Sequence, residues 1–360
     1  MTNRAMELSR SEVLRYRMHR QGLYRLEEQP AILDLGLQQM GTSVAQALAA
    51  RAPRTGWDHP ELTLAWTYRG APHLHWDTDL GKLATALSPR TEDGAAARLS
   101  WSKPQVDRCG MPATEAIGRV ASVAAEVITA PMTKGAASAA ITEHIPRGLG
   151  YDCRPCRTFH VNEQLMRVAM LPAGVVLDRE APKIVLRPGN LPRPKRKPDP
   201  AAVIRTYLRF LGPATVKETA AFFNSTEREL APVWPRDLLG CTVDGAPAFL
   251  TEEPGELPED PIVRLLPPMD PYLQPRNREF LVPDAVARKQ LWRILGNPGA
   301  LLVDGEILGA VRQKTSGRRL EVTVEAFGHL SAPVRADTEA EAQRLAEARD
   351  MRAVTVHWLD

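Results

Sequence analysis

Two stretches of this chain, APMTKGAASAAI at 130–141 and GPATVKETAAFF at 212–223, share one pattern: proline, one residue, threonine, then an alanine-rich apolar run. A threonine ahead of an apolar run is a helix N-cap, because its hydroxyl accepts from an otherwise unpaired N–H of the first turn. Thr133 and Thr215 take that place, and Glu218, three residues beyond Thr215, completes a capping box. Each copy follows another helical stretch, ATEAIGRVASVAAEVIT before the first and PAAVIRTYLRFLG before the second. The second copy continues through Asn224-Ser225-Thr226, a fresh cap, into STERELAPVWPRDLL. Then CTVDGAPAFL offers two short β stretches around Asp244-Gly245, a strong two-residue hairpin signal. Helix, helix, helix, hairpin is the order of a winged helix, and its recurrence predicts such modules in tandem.

The N-terminal third extends the pattern. SRSEVLRYRMHRQGL reads as a helix started by Ser9 or Ser11, with Val13, Leu14, Tyr16 and Met18 inside and arginines outside. QPAILDLGLQQMGTSVAQALAARA reads as helix, glycine-containing turn, helix, the helix-turn-helix shape. The alternation in LTLAWTYRGAPHLHW suggests a strand or wing closing that unit. LPRPKRKPDP is a stiff basic linker. Beyond residue 256, Asp304-Gly305 and Thr315-Ser316-Gly317 punctuate a β-meander that predicts a small barrel or curled sheet, followed by an amphipathic helix and a last strand, AVTVHWL. The expected fold class is therefore α+β. Winged helices are expected at 1–112, 113–190 and 191–255, the third including the linker, with a β-barrel-like domain and terminal helix over 256–360.

A chain of 360 residues exceeds one comfortable core, which agrees with several modules. Four cysteines predict a reducing, cytoplasmic setting rather than a disulfide scaffold. The first residues lack the apolar region of a signal peptide, and no apolar run approaches a membrane span. Net charge is only +3, but it is segregated: residues 183–197 hold six cations and no acid. Such patches fit a polyanion, and a solvated surface equally well. The expected partner is double-stranded DNA, bound by a monomer with no cofactor and no membrane. Phosphate contacts are expected from Arg15, Arg17 and Arg20 in the first helix, Lys195, Arg196 and Lys197 in the linker, and Arg318 and Arg319 at a β-turn. Arg69, His73 and His75 in RGAPHLHW could also grip phosphates, or simply decorate a half-exposed strand.

No glycine-rich phosphate loop, His-Glu-x-x-His or Gly-x-Ser-x-Gly occurs, which argues against a nucleotide hydrolase, a zincin or an α/β-hydrolase. CRPCRTFH places Cys153 and Cys156 at Cys-x-x-Cys spacing with His160 four residues on, the start of a tetrahedral zinc site. A fourth ligand would have to come from His144, Cys109 or Cys241; the alternative is two small residues packing at the end of a wing.

LGLQQMGTSVAQALAAR, LAWTYRGAPHLHW, the basic linker and VDGEILGAVRQ together resemble the AlkZ/YcaQ-like winged-helix proteins, over most of the chain from about residue 9. That family includes DNA glycosylases that excise bulky alkylated bases and unhook interstrand crosslinks. The resemblance implies tandem winged helices and a barrel curved around DNA in a basic concave cleft. It also implies a catalytic signature of glutamine, an apolar residue, then glutamine or aspartate. Gln38 takes the first position, while Gln39 stands where the apolar residue belongs and Met40 where the second polar residue belongs. Gln38, and more weakly Gln39, are the catalytic candidates that the resemblance implies. An alkylated purine is already a cationic leaving group, so a preorganised carbonyl dipole beside the sugar can suffice. Two further readings stand beside glycosylase: a non-catalytic DNA binder, whether regulator or lesion shield, and a winged-helix scaffold that binds no nucleic acid.

Overall fold

The computed structural model describes residues 6–191, 199–258, 260–293 and 295–359; Lys195, Arg196 and Lys197 lie outside them. The chain forms two compact units, each assembled from remote segments: 1–60, 206–215 and 237–360 in the first, 61–205 and 216–236 in the second. Among the described residues, no helix is long and apolar enough to cross a membrane.

In the first unit the helix Arg10–Arg20 starts at Ser9, whose side chain and Glu12 form the reciprocal capping box. It buries Val13, Leu14, Tyr16 and Met18 as the periodicity predicts, and Arg17 as well. The expected helix near residue 31 is only a 3-10 turn, Ala31–Asp34. Pro30 sits at its N-cap and Gly36, at φ 93°, ends it, so no second turn can form. A short strand, Leu37–Gln38, leads to the helix Ser43–Arg51.

The large sheet of this unit takes the strands Val263–Leu266, Gly299–Val303, Glu306–Ser316, Arg319–Ala326 and Ala353–Leu359 in that order. The first four form an antiparallel meander; the last runs parallel to Arg319–Ala326. A parallel neighbour needs a crossover, and the helix Ala332–Ala348 supplies it. Ala342, Leu345 and Ala346 of that helix pack with Leu265, Leu301, Val322 and Val324. Covered in this way, the sheet stays open, which corrects the barrel expectation. Ala300, Leu302 and Ile307 pack instead with Leu14, Met18 and Tyr272. A smaller sheet pairs Met6–Leu8 in parallel with Leu239–Val243, which turns through Asp244 (φ 48°) and Gly245 (φ 79°) into Ala246–Leu250. Both turn residues are left-handed, as the Asp-Gly signal requires.

A fully buried ion pair ties this unit together. The Arg51 guanidinium grips both Asp270 carboxylate oxygens at 2.7 and 2.8 Å, and neither side chain has any exposure. Its remaining N–H groups donate to the Gln21 and Ala47 carbonyls and to Gln21 Oε1. All five donors are thus used, as burial of a charge demands.

In the second unit the strands Leu62–Trp66 and Pro72–Trp76 form a hairpin turned by Arg69 (φ 59°) and Gly70 (φ 67°). Leu62–Trp66 also pairs with Val175–Leu177, which pairs with Val185–Pro188, and that strand with Met132–Thr133. The helices Ala113–Val127, Lys134–His144 and Glu163–Met170 share one core, with Ile117, Val120, Ile141 and Leu165 at its centre. Thr133 caps the second of them, where the repeat places it, and Thr226, the fresh cap that follows the second copy, caps Glu227–Leu230. A separate hairpin joins Gly150–Cys153 to Thr158–Val161.

Replacing Asp270 by alanine strands the Arg51 charge and should cost about 3–5 kcal/mol. Urea unfolding of Asp270→Ala and of the double variant Arg51→Met/Asp270→Leu checks this. The double variant should be the more stable of the two, and equal loss in both would contradict the account.

Candidate nucleic-acid interface

Residues 38–43 form a tight polar turn in the first unit. Ser43 Oγ donates to the Gln38 carbonyl at 2.7 Å and accepts from the Met40 N–H at 2.7 Å. Gly41, at φ 59°, has the left-handed conformation that allows the chain to turn there. The Gln39 side-chain amide donates to the Gly41 carbonyl at 2.6 Å, so one adjacent glutamine serves the backbone. Gln38 is half-buried, and Met40 is 44% exposed.

A pocket of about 370 Å³ opens beside this turn, bordered by Met40, Gly41, Thr42, Ser43 and Gln46, by Pro268 and Gly296–Pro298, and by Val311–Gln313, Thr315 and Arg349. One polar network lines it. Gln46 donates to Thr42 Oγ1 at 2.8 Å and exchanges amide hydrogen bonds with Gln313 at 2.9 and 3.2 Å. Arg349 donates to Gln313 Oε1 at 3.0 Å and to Thr315 Oγ1 at 2.9 Å. Gln313 and Thr315 lie two apart on one strand, so both face Arg349. Burial lowers the pKa of Arg349, but a guanidinium stays charged at neutral pH. With Arg312 exposed at the rim, the pocket carries two cations and no lining carboxylate among the described residues. Amides, hydroxyls and guanidiniums without an acid suit an anion.

The other expected DNA contacts divide. Arg17 is 1% exposed and donates to the Gly212 and Pro213 carbonyls at 3.1 and 3.2 Å, so it cannot reach a phosphate. Its place four residues after Val13 was the available signal, since that spacing puts both on one helix face. Arg15 is half-buried against the Leu257 carbonyl, and Arg20 pairs with Glu252 at 3.0 Å. Arg318 and Arg319 are exposed beside the turn after Glu306–Ser316, with Arg318 paired to Asp350. Gln46, Gln313 and Arg349 were missed, because nothing local links positions so far apart in the chain.

In the second unit, His73 and His75 are 3% and 0% exposed, which corrects their expected phosphate role. His73 Nδ1 lies 2.9 Å from the Ala71 carbonyl and His75 Nε2 lies 3.1 Å from Thr67 Oγ1. Tyr68 meets both rings edge-on. Burial draws the pKa of His75 down to about 3, and burial with the Arg69 charge pulls His73 well below its ordinary value. Arg69 stays half-buried, donating to the Phe222 carbonyl at 3.0 Å and lying over that ring. Cys153, Cys156 and His160 do come together, their donor atoms within 4.8 Å of one another. The Cys153 thiol is lowered to about 7, first by the Cys156 backbone N–H and then by His160. Cys109 and His144 are not in that group, and Cys241 belongs to the first unit.

The two buried imidazoles set a pH dependence. The unfolded chain gains protons on both histidines below about pH 6.5, whereas the folded one refuses them down to about pH 3 at His75 and to well below the ordinary range at His73, so stability falls as pH drops below about 6.5. The slope reaches about 1.4 kcal/mol per pH unit for each histidine. Denaturant midpoints of the wild type and His75→Gln between pH 7 and 5 check this, and a smaller pH dependence is expected in the variant. An unchanged one would place the imidazole in solvent.

The sequence profile of the family described as "DNA glycosylase AlkZ-like" matches residues 32–348. That span contains the turn at 38–43, Arg312 and Gln313, and stops one residue short of Arg349. The solved structure of Streptomyces sahachiroi DNA glycosylase AlkZ is similar with a TM-score of 0.72 at 21% identity, covering 98% of this chain and 100% of that one. At such identity the likeness is one of fold. No curated protein matches the sequence.

Proposed function

Since this chain belongs to the DNA glycosylase AlkZ-like family, we propose that it binds duplex DNA and hydrolyses the N-glycosidic bond of alkylated purines. The observation that carries this reading is the acid-free pocket beside the Gln38–Ser43 turn, with Arg312 and Arg349 as its cations. In this reading Arg312 and Arg349 hold backbone phosphates, whose recruitment is strongly salt-dependent. Gln38 presents its amide to the sugar as positive charge develops there, and a fixed dipole in a dry site stabilises that charge. With no carboxylate in the lining among the described residues, these side chains offer no strong base and no acid to protonate a leaving group. The substrates are therefore bases that leave without protonation, namely purines alkylated at a ring nitrogen and already cationic. The helix pairs followed by hairpins serve in this reading as winged-helix modules, and Arg15, Arg318 and Arg319 extend the phosphate contacts.

A second reading has one specific observation in its favour. Met40, 44% exposed at the pocket, stands where the resemblance places the second polar catalytic residue, and a thioether cannot orient a water. The chain would then bind damaged DNA without cleaving it.

Incubation with duplexes carrying a single N7-alkylguanine or a single neutral lesion separates these readings. Free base is expected from the cationic lesion only, and Gln38→Ala should release none while binding as the wild type does. Arg312→Ala should weaken binding of all duplexes and lower the salt slope by about one. Binding without base release selects the second reading, and absence of binding at low salt removes both.

A further inference from the structure

The cysteine pair of the second unit plays no part in the proposed reaction, yet its geometry is specific. The hairpin Gly150–Cys153/Thr158–Val161 is a sheet of two strands only, of four residues each. Its register pairs Cys153 with Thr158 and Tyr151 with His160. Tyr151 and Cys153 lie two apart and share a face, and His160 stands across from Tyr151 on that same face. The rings of Tyr151 and His160 meet edge to face at 4.8 Å. The loop 154–157 brings Cys156 back toward them, turned by Arg157 in the left-handed region at φ 52°.

We propose that Cys153, Cys156 and His160 bind a zinc ion, with an exchangeable fourth ligand from solvent. Their donor atoms lie within 4.8 Å of one another. Tetrahedral zinc, at about 2.3 Å from sulfur and about 2.0 Å from nitrogen, holds its donors roughly 3.5–3.8 Å apart. A contraction of about 1 Å closes the site, within reach of side-chain rotation because Cys156 is exposed. The imidazole is already set for it. His160 Nδ1 lies 2.8 Å from the Val161 carbonyl. A carbonyl cannot donate, so the proton is on Nδ1 and the lone pair on Nε2. Metal-bound histidines are oriented by such a bond from the other ring nitrogen. Two sulfurs and one nitrogen, with no carboxylate in the group, select a soft tetrahedral ion over magnesium or calcium. Binding converts both thiols to thiolates and releases their protons to solvent, so the neutral product has no uncompensated charge. A two-stranded hairpin alone is marginally stable in water, and the ion staples it at the loop.

Cobalt(II) titration of the reduced, chelator-treated full-length chain tests this. Expected are a single equivalent of uptake, the visible bands of tetrahedral cobalt, and a near-ultraviolet thiolate-to-cobalt band, all displaced by zinc. Cys153→Ser and Cys156→Ser should each weaken the thiolate band, the double variant should lack it, and His160→Ala should shift the visible bands. Cys109→Ser should match the wild type. Zinc should also slow alkylation of Cys156, with a chelator restoring the rate. Cobalt uptake without a thiolate band, or an equal signal in the double variant, overturns the proposal. So does formation of a Cys153–Cys156 disulfide at the same rate with and without zinc.

Discussion

The buried pair of Arg51 and Asp270 is the interaction on which the first unit depends. A guanidinium without exposure is tolerable only if every N–H is met, and here the five partners lie on Gln21, Ala47 and Asp270. Those partners fix the helix Ser43–Arg51 against the end of Arg10–Arg20 and against the segment that runs into Tyr272. Gln46 lies on that helix. Its reach to Gln313, and through Gln313 to Arg349, follows from the same placement. The pocket beside residue 41 is thus built before any ligand arrives, as electrostatic stabilisation requires.

Arginine in this chain has two occupations that composition cannot separate. Arg17 and Arg51 are structural donors to carbonyls and carboxylates inside the unit, and Arg25 is paired to Glu341 at 2.6 Å. Arg312 is exposed at an acid-free pocket. A net charge of +3 therefore understates the local field at the pocket and says nothing about the arginines that face inward. What distinguishes the two groups is the burial of each side chain and the sign of its neighbours.

Local chemistry was legible from the residues alone. The caps at Ser9, Thr133 and Thr226, and the left-handed Asp244-Gly245 turn, stand where capping and turn rules put them, because each is decided by neighbours within a few positions. Assembly was not legible. The final strand and its preceding helix were recognised, but whether that strand closes a barrel or adds in parallel depends on which edge it meets. The joining of residues 1–60 with 237–360 in one unit leaves no mark in a periodicity. The candidate site divides in the same way. Gln38 stood out through a resemblance, whereas Gln313 and Arg349 matter only because folding brings them to Gln46. The two histidines of RGAPHLHW misled because strand alternation does not tell which face is buried.

The central claim is that DNA is held at the pocket beside the Gln38–Ser43 turn. Backbone hydrogen exchange of the full chain, with and without saturating duplex, tests it most directly. The account predicts slowed exchange across residues 39–46 and 312–315 on DNA binding. Saturated binding that leaves both segments unchanged, with protection confined to other parts of the chain, would contradict it.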